Sequence, residues 1–202
     1  MFFSKPKKRT SCGRCFSARK NTFRAAKILP SITAKKREPL INNFLKMESC
    51  NIQTPIGIAK IEGDKNGIAS VSVHADGELS IQIPENLKEA ATQINEYFNK
   101  TRTKFTFKIN PKGTDFQQKV WQELTRIPFG KTISYLELAK KLGDSKVIRA
   151  AASANGKNPL WIIVPCHRVI GTDGSLTGYA GGLWRKKWLL EHENPTNQQS
   201  LF

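Results

Sequence analysis

Residues 134–156 read SYLELAKKLGDSKVIRAAASANG, and this stretch decides the fold that we expect for the C-terminal half of the chain. Ser134 is followed by Glu137 at the spacing of a capping box, which marks the start of a helix. That helix is expected to run from Tyr135 to about Leu142, and Gly143 is a typical residue for its end. The stretch therefore opens with a short, clearly bounded helix.

A second helix is predicted directly after the first. Asp144 or Ser145 can cap it, residues 147–154 form its body, and Asn155-Gly156 ends it. Two short helices joined by a few residues that include glycine are typical of a helix-turn-helix. Many helical proteins contain such pairs, so the pattern alone does not assign DNA binding.

The second helix is expected to have a thin surface. After Arg149 the sequence continues with Ala150, Ala151, Ala152, Ser153 and Ala154. Helices that read the major groove usually carry long polar side chains that reach the base edges. An alanine-rich helix favours either close approach to the narrow minor groove, about 6 Å wide, or tight packing against a neighbouring helix.

Downstream of this helix pair, an apolar run ends at a cysteine. Trp161-Ile-Ile-Val164 is predicted to form a buried strand that leads into Pro165-Cys166-His167-Arg168. An isolated cysteine is more often a small buried hydrophobic residue than a nucleophile. Here an imidazole and a guanidinium flank the thiol, and nearby positive charge lowers a thiol pKa. Cys166 is therefore the candidate nucleophile, and a soft sulfur suits attack on saturated carbon.

The neighbouring histidine need not touch the thiol directly. Adjacent residues of a regular strand point to opposite faces. His167 would then act on Cys166 through a bent backbone or an intervening water.

Upstream of residue 111 the pattern changes to short strands. Alternating apolar and polar residues predict strands over 56–61, 68–73 and 79–83, and turn signals lie at 64–67 and 75–77. Nothing in this part of the sequence suggests chemistry. It is interpreted as a scaffold.

Two further helices complete the pattern. Asn86 and Glu89 have the spacing of a capping box for a helix through Tyr97-Phe98. Asp115 can cap a helix whose apolar face lies within residues 116–124. Pro111-Lys-Gly113 between them marks a boundary. The predicted segments are a basic, disordered extension at 1–46, an α/β domain at 47–112, a C-terminal domain at 113–195 and a tail at 196–202.

The positive charge is concentrated in the extension. The 202 residues have a formal net charge of +17, and residues 1–46 hold 13 Lys and Arg against the single acid Glu38. Lys5-Pro-Lys-Lys-Arg9 resembles a nuclear-import signal, and the Arg- and Ser-rich composition resembles an organelle transit peptide. A third interpretation is that translation starts at Met47. The mildly basic remainder suits a polyanionic partner.

Cysteine usage and hydropathy indicate an intracellular protein. Four scattered cysteines are too few for a disulfide-stapled secreted fold, and Cys12-x-x-Cys15 is only half of a zinc-site pattern. We see no apolar run near the ~20 residues of a membrane span and no secretory signal. A reducing compartment is expected, either the cytoplasm or, in a eukaryote, the nucleus.

Taken together, the C-terminal motifs resemble those of the O6-alkylguanine-DNA alkyltransferases, also called methylated-DNA–protein-cysteine methyltransferases. Besides Pro165-Cys-His-Arg168, the motifs in family order are FGKTISY at 129–135, RA at 149–150, GKNP at 156–159, GYAGGL at 178–183 and KWLLEHE at 187–193. The resemblance implies an α/β N-terminal domain, with a small sheet plus helix and ribonuclease-H-like. A mostly α, winged helix-turn-helix-like C-terminal domain would follow it.

The resemblance also implies a role for each matching residue. Cys166 would accept the alkyl group, His167 would ionise it through a water, and Glu193 would orient the ring. Asn158 would hold the active-site turn, and Tyr135 would position the guanine and supply a proton. The expected pocket lining is Trp161, Val169, Tyr179, Ala180 and Lys186.

Double-stranded DNA, bound through its minor groove, is the implied partner. Arg149 would enter the base stack while the alkylated guanine is flipped out. The expected DNA-binding residues are Arg149, Ala150, Ala151, Ser153, Ala154, Tyr135 and Lys146. We expect a monomer with no cofactor and no membrane partner. Some family members bind zinc in the N-terminal domain, but here Cys50 lacks a second cysteine before His74, so no metal is expected.

The implied function is a single-turnover repair reaction. The alkyl group of O6-methylguanine, and less efficiently that of O4-methylthymine, would move irreversibly to Cys166. Two other functions compete. A lesion-binding protein without transfer activity would lack the acceptor cysteine. A Cys-His hydrolase would turn over through an acyl-enzyme, and any DNA binding would show a shallow dependence on salt.

Overall fold

A computed structural model describes residues 46–194 of the chain. The predictions for the basic extension, including the import and transit signals and the Cys12-x-x-Cys15 pair, lie outside these residues, as does the tail at 196–202. The described residues all belong to one compact unit.

The N-terminal part is built on a three-stranded antiparallel sheet. Its strands are β1 (Glu48–Thr54), β2 (Gly57–Asp64) and β3 (Gly67–His74), in that spatial order. Tight turns join them, and Thr54 pairs with Gly57 while Asp64 pairs with Gly67. Gly57 has φ +125°, and a Cβ there would lie 2.2 Å from the His74 carbonyl oxygen, so only glycine fits this turn.

The sequence pattern was right about two strands and wrong about the third. The predicted strand at 79–83 has no regular structure, and Ile81 is fully exposed. The third strand is instead β1, which lies beside β2 and was not predicted from the sequence. Ser80 binds Asn51 through both its backbone N–H and its hydroxyl, so the 79–83 segment is attached to β1 without extending the sheet.

One helix covers this sheet. α1 (Glu85–Phe98) buries Leu87, Ala90, Ala91, Ile94 and Tyr97, a spacing of three and four residues that places them on one face. The predicted capping box is wrong. Pro84 precedes the first turn without a side-chain cap, and the Asn86 amide donates to Glu48 instead.

The C-terminal part is mostly helical. Its elements are α2 (Asp115–Thr125), β4 (Ile133–Ser134), α3 (Tyr135–Lys141), α4 (Ile148–Gly156), β5 (Val169–Ile170) and α5 (Leu183–Glu193), and β4 and β5 pair in parallel. The Ser134–Glu137 capping box is confirmed. For α2 the cap is Thr114 paired with Gln117, so the prediction that Asp115 caps this helix is wrong. Asp144 caps a 3-10 turn, Ser145–Val147, that leads into α4.

Backbone hydrogen bonds join the sheet to the loop that carries the candidate nucleophile. The Val71 N–H donates to the Pro159 carbonyl at 2.8 Å, and the Trp161 N–H donates to the Val71 carbonyl at 3.0 Å. The loop after α4 is thereby fixed to the edge of β3. Among residues 46–194, no helix is both long and apolar enough to cross a membrane.

Candidate active site

The segment before Cys166 is a turn rather than the predicted strand. Ile162 has φ +57°, a left-handed conformation that an extended strand excludes. The Val164 N–H donates back to the Leu160 carbonyl at 2.9 Å, which closes the turn. Four consecutive apolar residues made 161–164 resemble a core strand in sequence. A 3-10 turn, Cys166–Arg168, follows and places the thiol at its first residue.

The side chain of Asn158 organises this turn. Its Oδ1 accepts from the Leu160 N–H at 3.0 Å, and its Nδ2 donates to the Val164 carbonyl at 2.7 Å. The same Nδ2 lies 3.2 Å from the Cys166 sulfur. The two backbone bonds fix the amide orientation, so an N–H group points at the sulfur.

The thiol of Cys166 is buried, with only 7% of the residue exposed. Burial raises its pKa, opposed by the Asn158 hydrogen bond and then by the charge of Lys186. The expectation that the adjacent guanidinium would lower this pKa is not met, because Arg168 points away to another partner. Lys186 is the cation that acts on the sulfur.

His167 is fully buried and faces a carboxylate. Its Nε2 lies 2.8 Å from Glu193 Oε1, and because an ionised carboxylate only accepts hydrogen bonds, Nε2 carries the ring proton. Burial lowers the pKa of His167, although Glu193 opposes this shift, so the ring is neutral. Nδ1 is then the basic nitrogen, and it has no hydrogen-bond partner among the described residues.

Glu193 is the centre of a buried polar cluster that the sequence did not fully predict. Arg168 donates to both of its oxygens, at 2.8 and 2.9 Å, and the Tyr97 hydroxyl donates to Oε1 at 2.9 Å. The Gly130 N–H adds a further donor. Burial alone would raise the pKa of Glu193, but the hydrogen bonds from His167 and Arg168, together with the charge of Arg168, outweigh it and hold this pKa far below its usual value.

Two neighbouring cavities lie at the site, and Cys166 lines the first of them. The first, of about 310 Å³, is lined by Cys166, Asn158, Trp161, Tyr179 and Ala180 and extends to the sheet. The second, of about 520 Å³, is lined by Tyr135, Arg149 and Ala152 and lies along α4. Both share Gly156, Gly178 and Tyr179. Val169 and Lys186, both predicted as pocket residues, are fully buried and line neither of these two cavities.

Lys186 and Tyr135 converge on one carbonyl. The Lys186 Nζ donates to Thr177 O at 3.0 Å, and the Tyr135 hydroxyl lies 3.4 Å from the same oxygen. Burial lowers the pKa of Lys186 to about 8, against the raising effect of Cys166. Its neighbour Lys187 is directed toward Glu191 on the outer surface. Position 186 is therefore the inward-facing lysine of the pair.

The predicted DNA-binding residues divide into two groups by burial. Arg149, Ala150, Ser153 and Lys146 are exposed. Ala151 and Ala154 are buried, at 0% and 3%, so the prediction that they form part of the contact surface is wrong. They pack against α2, where the Trp121 Nε1 donates to the Ala154 carbonyl at 2.9 Å. The packing interpretation of the alanine run therefore holds for the buried face of α4, and close approach to the minor groove stays a prediction for the exposed face.

The two residues considered for a zinc site in the N-terminal part, Cys50 and His74, differ in their exposure. Cys50 is buried in the core at 2% exposure, and His74 is exposed, with its Nε2 3.0 Å from the Ser72 hydroxyl. Within residues 46–194 no group of three His, Cys, Asp or Glu side chains could hold a metal ion.

Comparisons with known proteins agree on one family. Residues 115–195 match the model of the 6-O-methylguanine DNA methyltransferase DNA-binding domain. A methylated-DNA–protein-cysteine methyltransferase of Methanosarcina barkeri is 44% identical over 149 residues, covering 70% of this chain and 94% of that protein. A protein of the same name from Mycobacterium tuberculosis is 51% identical over 110 residues, covering 54% of this chain and 67% of its own length.

Solved structures give the same result. The crystal structure of the Mycobacterium tuberculosis O6-methylguanine methyltransferase aligns with a TM-score of 0.67 at 39% identity, covering 74% of this chain and 94% of that one. A second crystal structure, of Mycobacterium tuberculosis OGT in complex with DNA, aligns with a TM-score of 0.65 at 41% identity. It covers 72% of this chain and 91% of that one.

Proposed function

The chain belongs to the methylated-DNA–protein-cysteine methyltransferase family, and from this premise we propose that it repairs DNA by moving the alkyl group of O6-alkylguanine onto its own Cys166. The observation that carries the proposal is the Cys166 sulfur, which lines the first cavity and lies 3.2 Å from Asn158 Nδ2. O4-methylthymine is the second, poorer substrate.

The reaction is a displacement at saturated carbon. The sulfur–carbon bond forms as the carbon–O6 bond breaks, and the proton that leaves the thiol is balanced by one delivered to the departing guanine. The product is a thioether, which water does not cleave, so each molecule acts once. Atoms and charges balance without a cofactor.

His167 and Glu193 are the proposed activating pair. Glu193 holds the Nε2 proton, which leaves Nδ1 as the base that takes the thiol proton through a water. Burial opposes thiolate formation, and the Asn158 amide and the Lys186 charge favour it. The thiolate thus forms at a buried sulfur, where it is poorly solvated and reactive.

The lesion is proposed to enter along α4. Tyr135 lines the cavity on this side and is placed to hold the base and supply a proton. Arg149 is exposed at the mouth of the same cavity, where a planar cation can replace the flipped nucleotide in the stack. α3 and α4 then act as a helix-turn-helix against the minor groove, and Ala150 and Ser153 allow close approach. One chain carries every group, so a monomer suffices.

Intact-protein mass spectrometry tests this proposal. Incubation with a duplex that contains one O6-methylguanine is expected to add a single methyl group per chain, located by peptide mapping at Cys166. Cys166→Ala should abolish the mass gain while retaining duplex binding. Cys50→Ala, which removes another buried cysteine, is the matched control and should still be methylated.

The competing functions predict other outcomes. A lesion-binding protein would bind the duplex and gain no mass. A hydrolase would turn over an ester substrate repeatedly and leave the O6-methyl group in place. Either result would overturn the proposal.

A further inference from the structure

The cavity around Cys166 continues past the thiol to the N-terminal sheet. Its far wall is formed by the strands β2 and β3 and carries the polar side chains of Glu62, Ser70 and Ser72. The proposed transfer of a methyl group uses only the thiol end of this space. A methyl group is comparable in size to a water molecule, about 30 Å³, and the cavity measures about 310 Å³.

The relative position of the two cavities indicates where an alkyl chain would go. The base is proposed to enter from the cavity that contains Tyr135 and Arg149. Cys166 lines only the other cavity. Because the attacked carbon must lie at the sulfur, the atoms beyond that carbon extend away from the base, and the remaining space leads toward β3.

The groups at the far end define its chemistry. Ser70 Oγ donates to Glu62 Oε2 at 2.6 Å, and Lys60 Nζ lies 2.6 Å from Oε1. The hydrogen bonds from Lys60 and then from Ser70 hold the pKa of Glu62 below its usual value, with a smaller effect of His74, so it is ionised at neutral pH. The side chain of Glu62 is 34% exposed, and each oxygen retains a lone pair for a further donor.

We propose that Glu62 and Ser70 form a subsite for the outer end of long O6-alkyl groups, one that accepts hydroxyl-ended chains and disfavours carboxylate-ended ones. The subsite rests on the proposed function, because it acts only if Cys166 receives the alkyl group. Glu62 accepts a hydrogen bond from a terminal hydroxyl and repels a terminal carboxylate. Lys60 neutralises part of this charge but does not itself line the cavity among the described residues.

Single-turnover rates on a set of matched duplexes test the subsite. The full-length protein is given duplexes that differ only in the O6 group: methyl, pentyl, 4-hydroxybutyl or 3-carboxypropyl. Adduct formation is followed by intact mass. The wild type should transfer 4-hydroxybutyl faster than the similarly sized pentyl and should be slowest with 3-carboxypropyl. Glu62→Gln should raise the 3-carboxypropyl rate, relative to methyl, about fivefold, because a like charge is removed at the cavity wall.

Two variants control for general damage. Glu62→Asp keeps the charge and should keep the discrimination. Glu96→Gln removes a carboxylate that is also paired with a cation, Arg102, but lies outside this cavity, and it should leave all ratios unchanged. Equal ratios in the wild type and Glu62→Gln, or no transfer of any long chain by the wild type, would overturn the subsite alone. Loss of methyl transfer in the wild type would instead overturn the proposed function.

Discussion

At the scale of single residues, the site depends on a carboxylate that the fold keeps ionised. Glu193 accepts bonds from His167, Arg168, Tyr97 and the Gly130 backbone, and only 1% of its side chain is exposed. A buried charge is costly unless its partners are complete. All of these donors are groups of the folded chain itself, so they fix the position of the Glu193 carboxylate. The carboxylate in turn holds the ring of His167 in one orientation and one tautomer.

This arrangement predicts a specific dependence of stability on pH. The folded pKa of Glu193 lies below its ordinary value of 4.5, so its contribution to stability is full above that value and is lost as the pH falls through the folded pKa. Glu193→Gln should lower the free energy of unfolding at pH 7 by about 3 kcal/mol, since Arg168 loses its counter-charge. It should also flatten the acid-side fall in stability. Chemical denaturation across the acid range measures both effects.

The control for this prediction is Glu191→Gln, which removes a carboxylate on the outer face of the same helix. It should change the stability by less than about 1 kcal/mol. An unchanged acid profile in Glu193→Gln would show that the depressed pKa does not contribute to folding.

The sequence predicted the nucleophile better than its surroundings. Cys166 and His167 are adjacent in the chain, and Asn158 is part of a recognisable motif, so short-range patterns found them. Tyr97 is separated from Glu193 by 96 positions, and no local pattern pairs a helix tyrosine with a distant acid. The direction of the thiol pKa also required coordinates, because Arg168 could be directed to the sulfur or away from it.

At the scale of elements, secondary structure was predictable wherever it is decided by residues that are close in the sequence. The Ser134–Glu137 box forms as expected, since both partners lie within one turn. The prediction of a strand at 161–164 is wrong, because four consecutive apolar residues carry no alternation that could separate a strand from a turn. The left-handed Ile162 gives no sequence signal, since it is an isoleucine where glycine is the usual residue.

The two faces of α4 provide a test with the same substitution at adjacent positions. Ala150 is exposed and Ala151 is fully buried. Ala150→Glu should keep the melting temperature near that of the wild type and weaken duplex binding, because a negative charge on the proposed DNA-contact face would repel the phosphates. Ala151→Glu should destabilise the fold by several kcal/mol, because it places an unpaired charge in the core. Thermal melts and binding titrations at one salt concentration distinguish the two.

The opposite pattern would contradict this assignment of faces. If Ala150→Glu bound DNA as the wild type does, the exposed face of α4 would not be the contact surface. If Ala151→Glu melted normally, the packing of α4 against α2 would need revision.

At the scale of the whole molecule, the N-terminal part supports the chemistry of the C-terminal part. Val71 on β3 exchanges two backbone hydrogen bonds with the loop at Pro159 and Trp161, and Arg185 on α5 donates to the Ile56 carbonyl at 2.7 Å. Tyr97 on α1 donates to Glu193. The sheet and its helix therefore hold both the turn that carries Cys166 and the carboxylate that orients His167.

Removal of a single hydroxyl tests this long-range support. Tyr97→Phe keeps the ring and its aromatic neighbours but deletes the donor to Glu193, and it should lower the free energy of unfolding by about 1–2 kcal/mol. It should also change the pH dependence of alkyl transfer, since His167 and Tyr97 share Oε1 of Glu193. Phe98→Leu, a change at the next position of the same helix, should affect stability without moving the pH profile. If the pH profile of alkyl transfer by Tyr97→Phe were identical to that of the wild type, the role of Tyr97 would be limited to packing.

The left-handed backbone of the buried Ile162 has a consequence for the evolution of the sequence. A left-handed backbone costs an L-residue roughly 1–2 kcal/mol, yet this side chain is only 1% exposed and fills the core. Glycine would relax the backbone but leave a hole, and such large-to-small changes cost about 2–5 kcal/mol. Replacement by glycine therefore does not improve the position, and another L-residue would keep the backbone cost. Lineages descended from this protein should diverge first in the loops and last in the few residues that precede the reactive sulfur.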